Sequence, residues 1–206
     1  MYMHSQVTRF MKFVKSILPE WFSDKRVLDV GSGDINGNNR FLFENCEYDG
    51  NDVVQAKNVT IVSRTKDLTF EEKTFDTIVS TECFEHDPEY KESLMKIYSM
   101  LKPDGLLCFT CASTGRAEHG TRRTDKASYG TKANIEDMVD YYKNLTELHI
   151  NDVLNLNDSF SIWDTYYNSK SFDLYFVGVK KGEKSFDTLQ TYTDFGAVKT
   201  SSNIIS

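Results

Sequence analysis

A strand that runs directly into two glycines is the feature that most limits how this chain can fold. The predicted strand Arg26–Val30 leads into Gly31 and Gly33, and Asp52 follows nineteen residues after Gly33, at the end of the next strand. Glycine lets the chain turn sharply and lets a ligand approach the backbone. An acid at the tip of the second strand is typical of sheets that hold a ribose. The pattern indicates a nucleotide-binding α/β sheet.

The remaining sequence alternates between predicted strands and helices. Strands are predicted at 26–30, 48–51, 59–63, 75–80, 106–111, 160–167 and 173–179, and helices at 38–44, 90–101 and 134–145. Such alternation predicts a parallel sheet with right-handed crossovers. The short turn between the last two strands permits only an antiparallel hairpin. We therefore predict a Rossmann-like, mostly parallel seven-stranded sheet with an antiparallel last strand and helices on both faces.

The chain is predicted to form one domain with an extension at each end, since 206 residues suit a single domain. Apolar residues at helical spacing predict an N-terminal helix within 1–24 that packs on the domain. The main domain is expected at 25–181 and includes a loop at 112–131 long enough to act as a lid. The polar tail at 182–206 is expected to be flexible.

The charge balance limits the class of partner. The chain has 24 Lys and Arg against 31 Asp and Glu, a net charge of -7. An acidic protein repels a phosphate backbone, so long nucleic acid is not expected as the main partner. No apolar run approaches the roughly 20 residues of a membrane span. The N-terminus lacks a signal-peptide core, so we expect the cytoplasm. The oligomeric state stays open.

Two of the four cysteines form a C-x-x-C pair, Cys108 and Cys111, which raises the question of a redox pair or half a zinc site. This stretch is predicted to be a strand, and residues three apart on a strand point to opposite faces. We therefore expect ordinary buried thiols and predict no metal site.

The residues around the glycine loop discriminate between nucleotides. Asn36 stands where the dinucleotide fingerprint needs a third glycine. Asp29 and Asp34 flank the loop and would repel a pyrophosphate, whereas a cofactor with an amino group would be attracted to them. This favours S-adenosylmethionine over NAD, and an NAD-dependent oxidoreductase is the less favoured alternative.

Four motifs in order carry a resemblance to a known family. They are VLDVGSGD at 27–34, YDGND at 48–52, FDTIVSTECFEHDP at 75–88 and LKPDGLL at 101–107. Over about residues 25–181 the chain resembles the class I S-adenosylmethionine-dependent methyltransferases, specifically the type 11-like methyltransferase-domain proteins. The resemblance implies S-adenosylmethionine as the cofactor and S-adenosylhomocysteine as the product.

The resemblance also implies the residues of the cofactor site, which are Asp29, Gly31, Gly33, Asp52, Val53, Asp67, Leu68, Thr81 and Glu82. The first three would surround the amino-acid end of the cofactor, and Asp52 would hold the ribose. Val53 and Leu68 would flank the adenine, with Asp67 at its amino group. Thr81 and Glu82 would lie near the methionine part. The stretch 63–70 departs from the family's usual Gly-Asp-Ala pattern at the adenine.

The acceptor is expected to meet the loops after the fourth and fifth strands, because ligands bind beyond the carboxyl ends of such strands. Three of the seven arginines, Arg116, Arg122 and Arg123, fall within eight residues of the second loop. Arginine suits forked contacts with carboxylate or phosphate, which predicts an anion clamp. The alternative is a solvated lid whose arginines pair with surface acids. Tyr129 is predicted to line the acceptor pocket.

His86 and His119 are the candidate catalytic residues, since histidine can accept a proton near neutral pH. Their structural alternatives are a histidine that caps the loop after the fourth strand and an ordinary lid residue. The predicted function is methyl transfer to a small-molecule or glycan-linked acceptor, anionic and methylated on oxygen. The alternative from a different class is a catalytically inactive partner protein that only binds S-adenosylmethionine.

Overall fold

An eight-stranded mixed sheet runs through the computed structural model, which describes residues 5–34, 37–126, 134–194 and 196–203. The strands are β1 (Arg26–Val30), β2 (Glu47–Asp52), β3 (Ile61–Val62), β4 (Phe75–Thr81), β5 (Leu101–Ala112), β6 (Phe160–Asn168), β7 (Asp173–Lys180) and β8 (Ala197–Ser202). Their order across the sheet is β3-β2-β1-β4-β5-β7-β6-β8.

The strand directions confirm the predicted fold class. Strands β1 to β5 pair in parallel, whereas β7 lies antiparallel between β5 and β6. The strand order reverses at β1: β2 and β3 follow on one side of it, and β4 and β5 lie on the other. This reversal leaves a crevice beyond the carboxyl ends of the strands. The predicted glycine loop lies at this point, directly after β1.

Helices cover both faces of the sheet. They are α1 (Ser5–Ile17), α2 (Tyr90–Met100), α3 (Glu147–Leu154) and the single turn α4 (Leu156–Ser159), with short 3-10 turns at Pro19–Phe22, Arg40–Leu42, Thr65–Asp67 and Phe84–His86. The apolar stripe of α1, which includes Val7, Phe10 and Val14, is buried with side chains of β5 and β7. On the opposite face, α2 and α3 pack against the other side of the same strands.

The C-terminal tail corrects the prediction of a seven-stranded sheet. Its residues 197–202 form β8, which pairs antiparallel with β6 and so gives the sheet its eighth strand. Before that strand, the Asp104 carboxylate accepts hydrogen bonds from the backbone N–H groups of Glu183 and Lys184, both at 2.9 Å. Tyr192 is buried against Phe10, with ring centroids 5.3 Å apart. Backbone pairing and the aromatic contacts of Phe186 and Tyr192 therefore dock a tail whose composition is polar.

The predicted helix at 134–145 is wrong for a physical reason. Residues 134–140 form turns with local hydrogen bonds, and the backbone at 141–145 is irregular, with two of its N–H groups bonded to the site loops. Lys143 N donates to the carbonyl of Glu85, and Leu145 N donates to that of Ala112, each at 2.9 Å. The segment is thereby held against the ends of β4 and β5. The predicted helix at 38–44 is reduced to the 3-10 turn at 40–42.

The cysteines behave as predicted. Cys108 is buried in the core beneath α1, and Cys111 is buried in the core beneath α2, so the two thiols lie on opposite faces of β5. All four cysteines are unpaired by disulfides. Among the described residues, no helix has the length and apolar character that a membrane crossing requires.

Candidate active site

The glycine loop and the end of β2 form one closed hydrogen-bonded unit. The Asp52 carboxylate accepts hydrogen bonds from the backbone N–H groups of Gly33, at 3.0 Å, and Val53, at 2.7 Å. Gly31 N and Ser32 N both donate to the carbonyl of Asn51, each at 2.9 Å. Burial raises the pKa of Asp52, and the hydrogen bonds from the backbone oppose that rise. The loop therefore holds this acid in place at the carboxyl end of the sheet.

Asp29 is buried beneath the same loop. Its carboxylate accepts a hydrogen bond from the Tyr48 hydroxyl at 2.5 Å and another from Asn39 Nδ2 at 3.1 Å. Asn39 Nδ2 also donates to Thr81 Oγ1 at 3.2 Å. Burial raises the pKa of Asp29 to about 6, against the lowering effect of these hydrogen bonds. Predicted residues of β1 and β4 are thus brought together at one point.

The oxygen atoms around the glycine loop fit the amino-acid end and the ribose of S-adenosylmethionine. Asn39 Oδ1 is buried and has no hydrogen-bond partner among the described residues. It lies on the amide that binds Asp29, so an ammonium group there would meet an orphaned oxygen and a neighbouring carboxylate. Asp52 keeps lone pairs that could accept hydrogen bonds from ribose hydroxyls. We call the residues Asp29, Asn39, Asp52 and the loop 31–34 the cofactor half.

The residues predicted at the adenine differ in how far they are exposed. Val53 is half-buried beside Asp52, and Leu68 is buried in the core at 4% exposure. Asp67 is exposed on the 3-10 turn before Leu68. The neighbouring Arg64 forms ion pairs with Glu89 and Asp137. Val53 therefore offers apolar surface, whereas Leu68 is packed in the core and Asp67 faces solvent.

Thr81 ends β4 and Glu82 follows it, and the two side chains point to different parts of the site. Thr81 contacts the cofactor half through Asn39, whereas Glu82 Oε1 accepts a hydrogen bond from Thr110 Oγ1 on β5 at 2.9 Å. Glu82 has a φ of 54°, which is uncommon outside glycine and often found at functional sites. A Cβ at Gly31 would lie 2.6 Å from Cys83 Cβ, so this glycine makes room for the loop after β4.

Beyond Glu82 lies a cluster of buried carboxyl groups, Glu82, Glu85 and Asp173, which we call the acid cluster. Glu85 and Asp173 are fully buried. Both oxygens of Glu85 and Oε2 of Glu82 have no hydrogen-bond partner within the described residues. Asp173 begins β7 opposite Ala112, and its carboxylate pairs with Arg116 Nη1 at 3.0 Å. Within the described residues, Arg116 is the cation that pairs with this cluster of three carboxyl groups.

The pKa values follow from this burial. Burial raises the pKa of Glu82 to about 8, and the nearby Asp173 adds to the rise. Burial also raises the pKa of Glu85 well above its usual range, with Glu82 adding to the effect. The pKa of Asp173 is raised by burial to about 6, although Arg116 opposes the rise. Groups of this kind accumulate at functional sites.

Comparison with protein families supplies the decisive observation. The family described as "Methyltransferase domain" matches residues 2–148, which is most of the chain. The chain belongs to the methyltransferase-domain family. This assignment confirms the predicted enzyme class, an S-adenosylmethionine-dependent methyltransferase, and it disfavours the NAD-dependent alternative. The comparison with curated proteins gives no match.

Solved structures share the fold of this methyltransferase at low sequence identity. One is the Burkholderia thailandensis 1,6-didemethyltoxoflavin-N1-methyltransferase with bound 1,6-didemethyltoxoflavin and S-adenosylhomocysteine, with a TM-score of 0.57, 18% identity and coverage of 83% of this chain and 77% of that chain. Another is the Haemonchus contortus phosphoethanolamine N-methyltransferase 2 in complex with S-adenosyl-L-methionine, with a TM-score of 0.57, 18% identity and coverage of 85% and 53%. This chain therefore spans about half of the second enzyme.

The two candidate catalytic histidines of the methyltransferase lie side by side. The rings of His86 and His119 have centroids 5.0 Å apart and are nearly perpendicular, and both contact the Tyr142 ring. Burial lowers the pKa of His86 to about 3, and His119 lowers it further. Burial also lowers the pKa of His119. Both rings are therefore neutral at physiological pH, and His86 is a weak base.

The predicted arginine clamp is divided between two environments. Arg116 is mostly buried and donates to Asp173 and to the carbonyl of Ser171. Arg122 and Arg123 are about half exposed, and they pair with Asp140 in the segment 134–145 and with Glu118 of the lid, respectively. The structure therefore brings Arg116 to the acid cluster but not the other two. Tyr129 lies outside the described residues.

Asn39, Glu85 and Asp173 are site residues that the sequence reasoning missed. Glu85 stands next to His86 within the quoted motif, and only the histidine was singled out. Asp173 begins an otherwise apolar strand, and a charged residue at that position was a usable signal. Its proximity to Glu82 depends on β7 inserting beside β5, a long-range pairing that local pattern does not reveal.

Proposed function

We propose that this methyltransferase moves the methyl group of S-adenosylmethionine to a hydroxyl group of a small polar acceptor, either a small molecule or a glycan-linked group. The observation that carries the proposal is the position of Glu82. Its Oε2 is buried and without a hydrogen-bond partner among the described residues. The adjacent Thr81 contacts the cofactor half. A group next to Glu82 would therefore be next to the cofactor.

The cofactor half would bind and position the methyl donor in this reaction. When bound, S-adenosylmethionine supplies a methyl group on a sulfonium and leaves as S-adenosylhomocysteine. Asp52 and Asp29 would hold its ribose and its amino group. Positioning the two reactants in line, with water excluded, can supply much of the acceleration. The segment 143–145, tied to the ends of β4 and β5, would help to exclude water.

Glu82 is the group placed to take the proton of the acceptor hydroxyl. Its pKa of about 8 leaves part of Glu82 ionised near neutral pH, and in that form its unpartnered Oε2 can accept the proton while Oε1 stays bound to Thr110. His86 was the candidate base from sequence, but its low pKa makes it a poor proton acceptor. General bases contribute about 10²–10⁴-fold to such reactions.

Transfer to the nitrogen of a small amine is the second candidate. The acid cluster favours it, because carboxyl groups attract an amine and can take its proton. The Burkholderia and Haemonchus enzymes are both N-methyltransferases, which supports the same candidate. A further Haemonchus structure holds phosphomonomethylethanolamine and S-adenosylhomocysteine, with a TM-score of 0.53, 16% identity and coverage of 86% of this chain and 58% of that chain.

The test has two stages. Calorimetry with S-adenosylhomocysteine and with NAD should show binding of the first alone. Labelled S-adenosylmethionine is then supplied with matched alcohols and amines that share a carbon skeleton, and labelled products are counted. We expect hydroxyl methylation that falls at least about tenfold in Glu82→Gln, since a general base is lost.

The control variant is Glu92→Gln, which changes an exposed glutamate of α2 and should leave the rate unaltered. Labelled amines without labelled alcohols would support the second candidate instead. Binding of S-adenosylhomocysteine without any labelled product from a broad panel would point to the inactive partner protein. An unchanged rate in Glu82→Gln would remove Glu82 from the proposed role.

A further inference from the structure

We call the acid cluster together with His86 and His119 the acceptor half. Three of its side chains form a constellation that the reaction above does not use. One potential ligand atom from each of Glu85, His86 and His119 lies within 4.8 Å of the others. His86 Nε2 is 3.9 Å from Glu85 Oε1. Both atoms are buried and have no hydrogen-bond partner within the part of the chain that the structure describes.

We propose that Glu85, His86 and His119 bind a divalent metal ion of the zinc or manganese class, with Glu82 beside them. Two imidazoles and one carboxylate are a common ligand set for these ions. Ligand atoms around a four-coordinate zinc ion lie about 3.4 Å apart, because each bond is about 2.0–2.1 Å long. The separation of 3.9 Å between His86 Nε2 and Glu85 Oε1 would have to close by about 0.5 Å, and no separation by more than about 1.4 Å.

Burial distinguishes this constellation from a surface group of acids. Glu85 is fully buried, and neither of its oxygens has a partner among the described residues. Buried polar groups in native proteins are nearly always satisfied, so a group left without a partner needs an explanation such as an ion. A bound cation would satisfy Glu85 and His86 together.

The surroundings of the histidines support ligation. His119 Nδ1 lies 3.0 Å from the carbonyl of Ala117. A metal-binding histidine commonly donates one ring N–H to a carbonyl, which fixes the orientation of the ring. Gly120 packs directly on the His86 ring, since a Cβ there would lie 2.8 Å from His86 Cε1. A larger residue would displace the ring from Glu85.

The role of the ion rests on the proposed function, although its binding does not. At this position the ion would lie beside Glu82 and so beside the acceptor. A divalent cation lowers the pKa of a bound hydroxyl and stabilises the resulting oxyanion. The proton would leave to Glu82, and no oxidant or reductant is involved. The ion would therefore favour a hydroxyl acceptor over an amine.

The test begins with metal-free protein prepared with EDTA and then freed of chelator. Zn²⁺ and Mn²⁺ are titrated separately by calorimetry, and unfolding temperatures are measured with and without each ion. We expect one equivalent of at least one ion to bind and to raise the unfolding temperature. Co²⁺ provides a second readout on the wild type, because visible absorption bands report coordination by nitrogen and oxygen ligands.

Glu85→Gln and His119→Gln should each weaken binding by about a hundredfold or more, since each removes a ligand. The matched control is His149→Gln, because His149 Nδ1 accepts a hydrogen bond from the N-cap Thr146 of α3 and glutamine can take that place. Circular dichroism of the metal-free variants shows whether each one folds.

Failure of the wild type to bind either ion, with no Co²⁺ bands, overturns the proposal. Equal affinity in Glu85→Gln, His119→Gln and the wild type also overturns it, because binding would then be adventitious. The failure of the proposed function is distinguishable from these results. Metal binding without any methyl transfer would retain the site and reject the function. Equal transfer to a hydroxyl with EDTA present would retain the function and reject the catalytic role of the ion.

Discussion

The two halves of the site differ in how well the protein satisfies its own buried charges. In the cofactor half, Asp29 and Asp52 each accept at least two hydrogen bonds from the protein. In the acceptor half, Glu85 accepts none within the described residues, and Glu82 leaves one oxygen without a partner. The first half is preformed, so its ligand needs little rearrangement. In the second half, buried carboxyl oxygens lack partners, so a ligand, an ion or protonation must offset the cost of their burial.

The two halves are therefore expected to respond differently to mutation. Removal of an acid from the cofactor half breaks existing hydrogen bonds and weakens cofactor binding. Removal of Glu82 or Glu85, whose carboxyl oxygens lack partners among the described residues, relieves a burial penalty, so the free protein should gain stability while turnover falls. Strained and unsatisfied groups of this kind are a common cost of function.

The largest effect is expected at Arg116, the cation that partly satisfies the acid cluster. Arg116→Leu would leave the buried carboxylate of Asp173 without its ion pair. Loss of one partner of a buried pair costs about 3–5 kcal/mol. Urea denaturation at pH 8, above the raised pKa of Asp173, should show a loss of this size. A loss below about 1 kcal/mol would mean that the cluster does not depend on this arginine.

Asp52 provides the next test, because it belongs to the preformed half. Asp52→Ala should weaken the binding of S-adenosylhomocysteine by at least about tenfold, since a charge-assisted contact contributes about 1.5–3 kcal/mol. Calorimetry gives the dissociation constant directly. Glu71→Gln, a change at an exposed glutamate, is the control. An unchanged dissociation constant in Asp52→Ala would place the ribose elsewhere.

Glu82 allows a test of the acceptor half through the pH dependence of stability. Its folded-state pKa of about 8 lies above its usual value, so the folded protein holds a proton that the unfolded chain releases. Stability should therefore fall as pH rises towards 8. His86 acts in the opposite direction only below its usual pKa of about 6.5, so pH 6.5–8 isolates the carboxyl groups.

In that window, with EDTA present, Glu82→Gln should reduce the steepness of the fall by about 1 kcal/mol per pH unit. The free energy of unfolding at several pH values measures this difference. Some slope should persist, because the pKa of Glu85 is also raised. Parallel curves for the wild type and Glu82→Gln would mean that Glu82 ionises normally.

The cofactor half could be predicted from sequence because its signals are local. The residues from Arg26 to Gly33 adjoin along the chain, and Asp52 ends the next strand. The acceptor half combines the loop after β4, the lid and the start of β7, which only the full sheet brings together. The strand β8 was missed because an edge strand needs few apolar residues, and its pairing with β6 is decided by tertiary contacts.

The smallest effect is expected for the two exposed lid arginines. Arg122 and Arg123 already pair with Asp140 and Glu118, and exposed ion pairs contribute about 0–1 kcal/mol. The double variant Arg122→Gln with Arg123→Gln should change kcat/KM by less than about twofold and leave S-adenosylhomocysteine binding unaltered. Steady-state kinetics on the identified acceptor provides the measurement. A tenfold rise in KM would instead support the anion clamp that the sequence predicts.

A crystal structure with S-adenosylhomocysteine tests the central claim most directly, namely that a preformed cofactor half adjoins an unsatisfied acceptor half across the end of β4. The account predicts ribose hydroxyls within hydrogen-bond distance of Asp52 and the amino group beside Asn39 Oδ1. The sulfur should face Glu82 and the acid cluster, with the backbone of the glycine loop unmoved. A ligand bound away from Asp52, or a sulfur that faces away from Glu82, would contradict it.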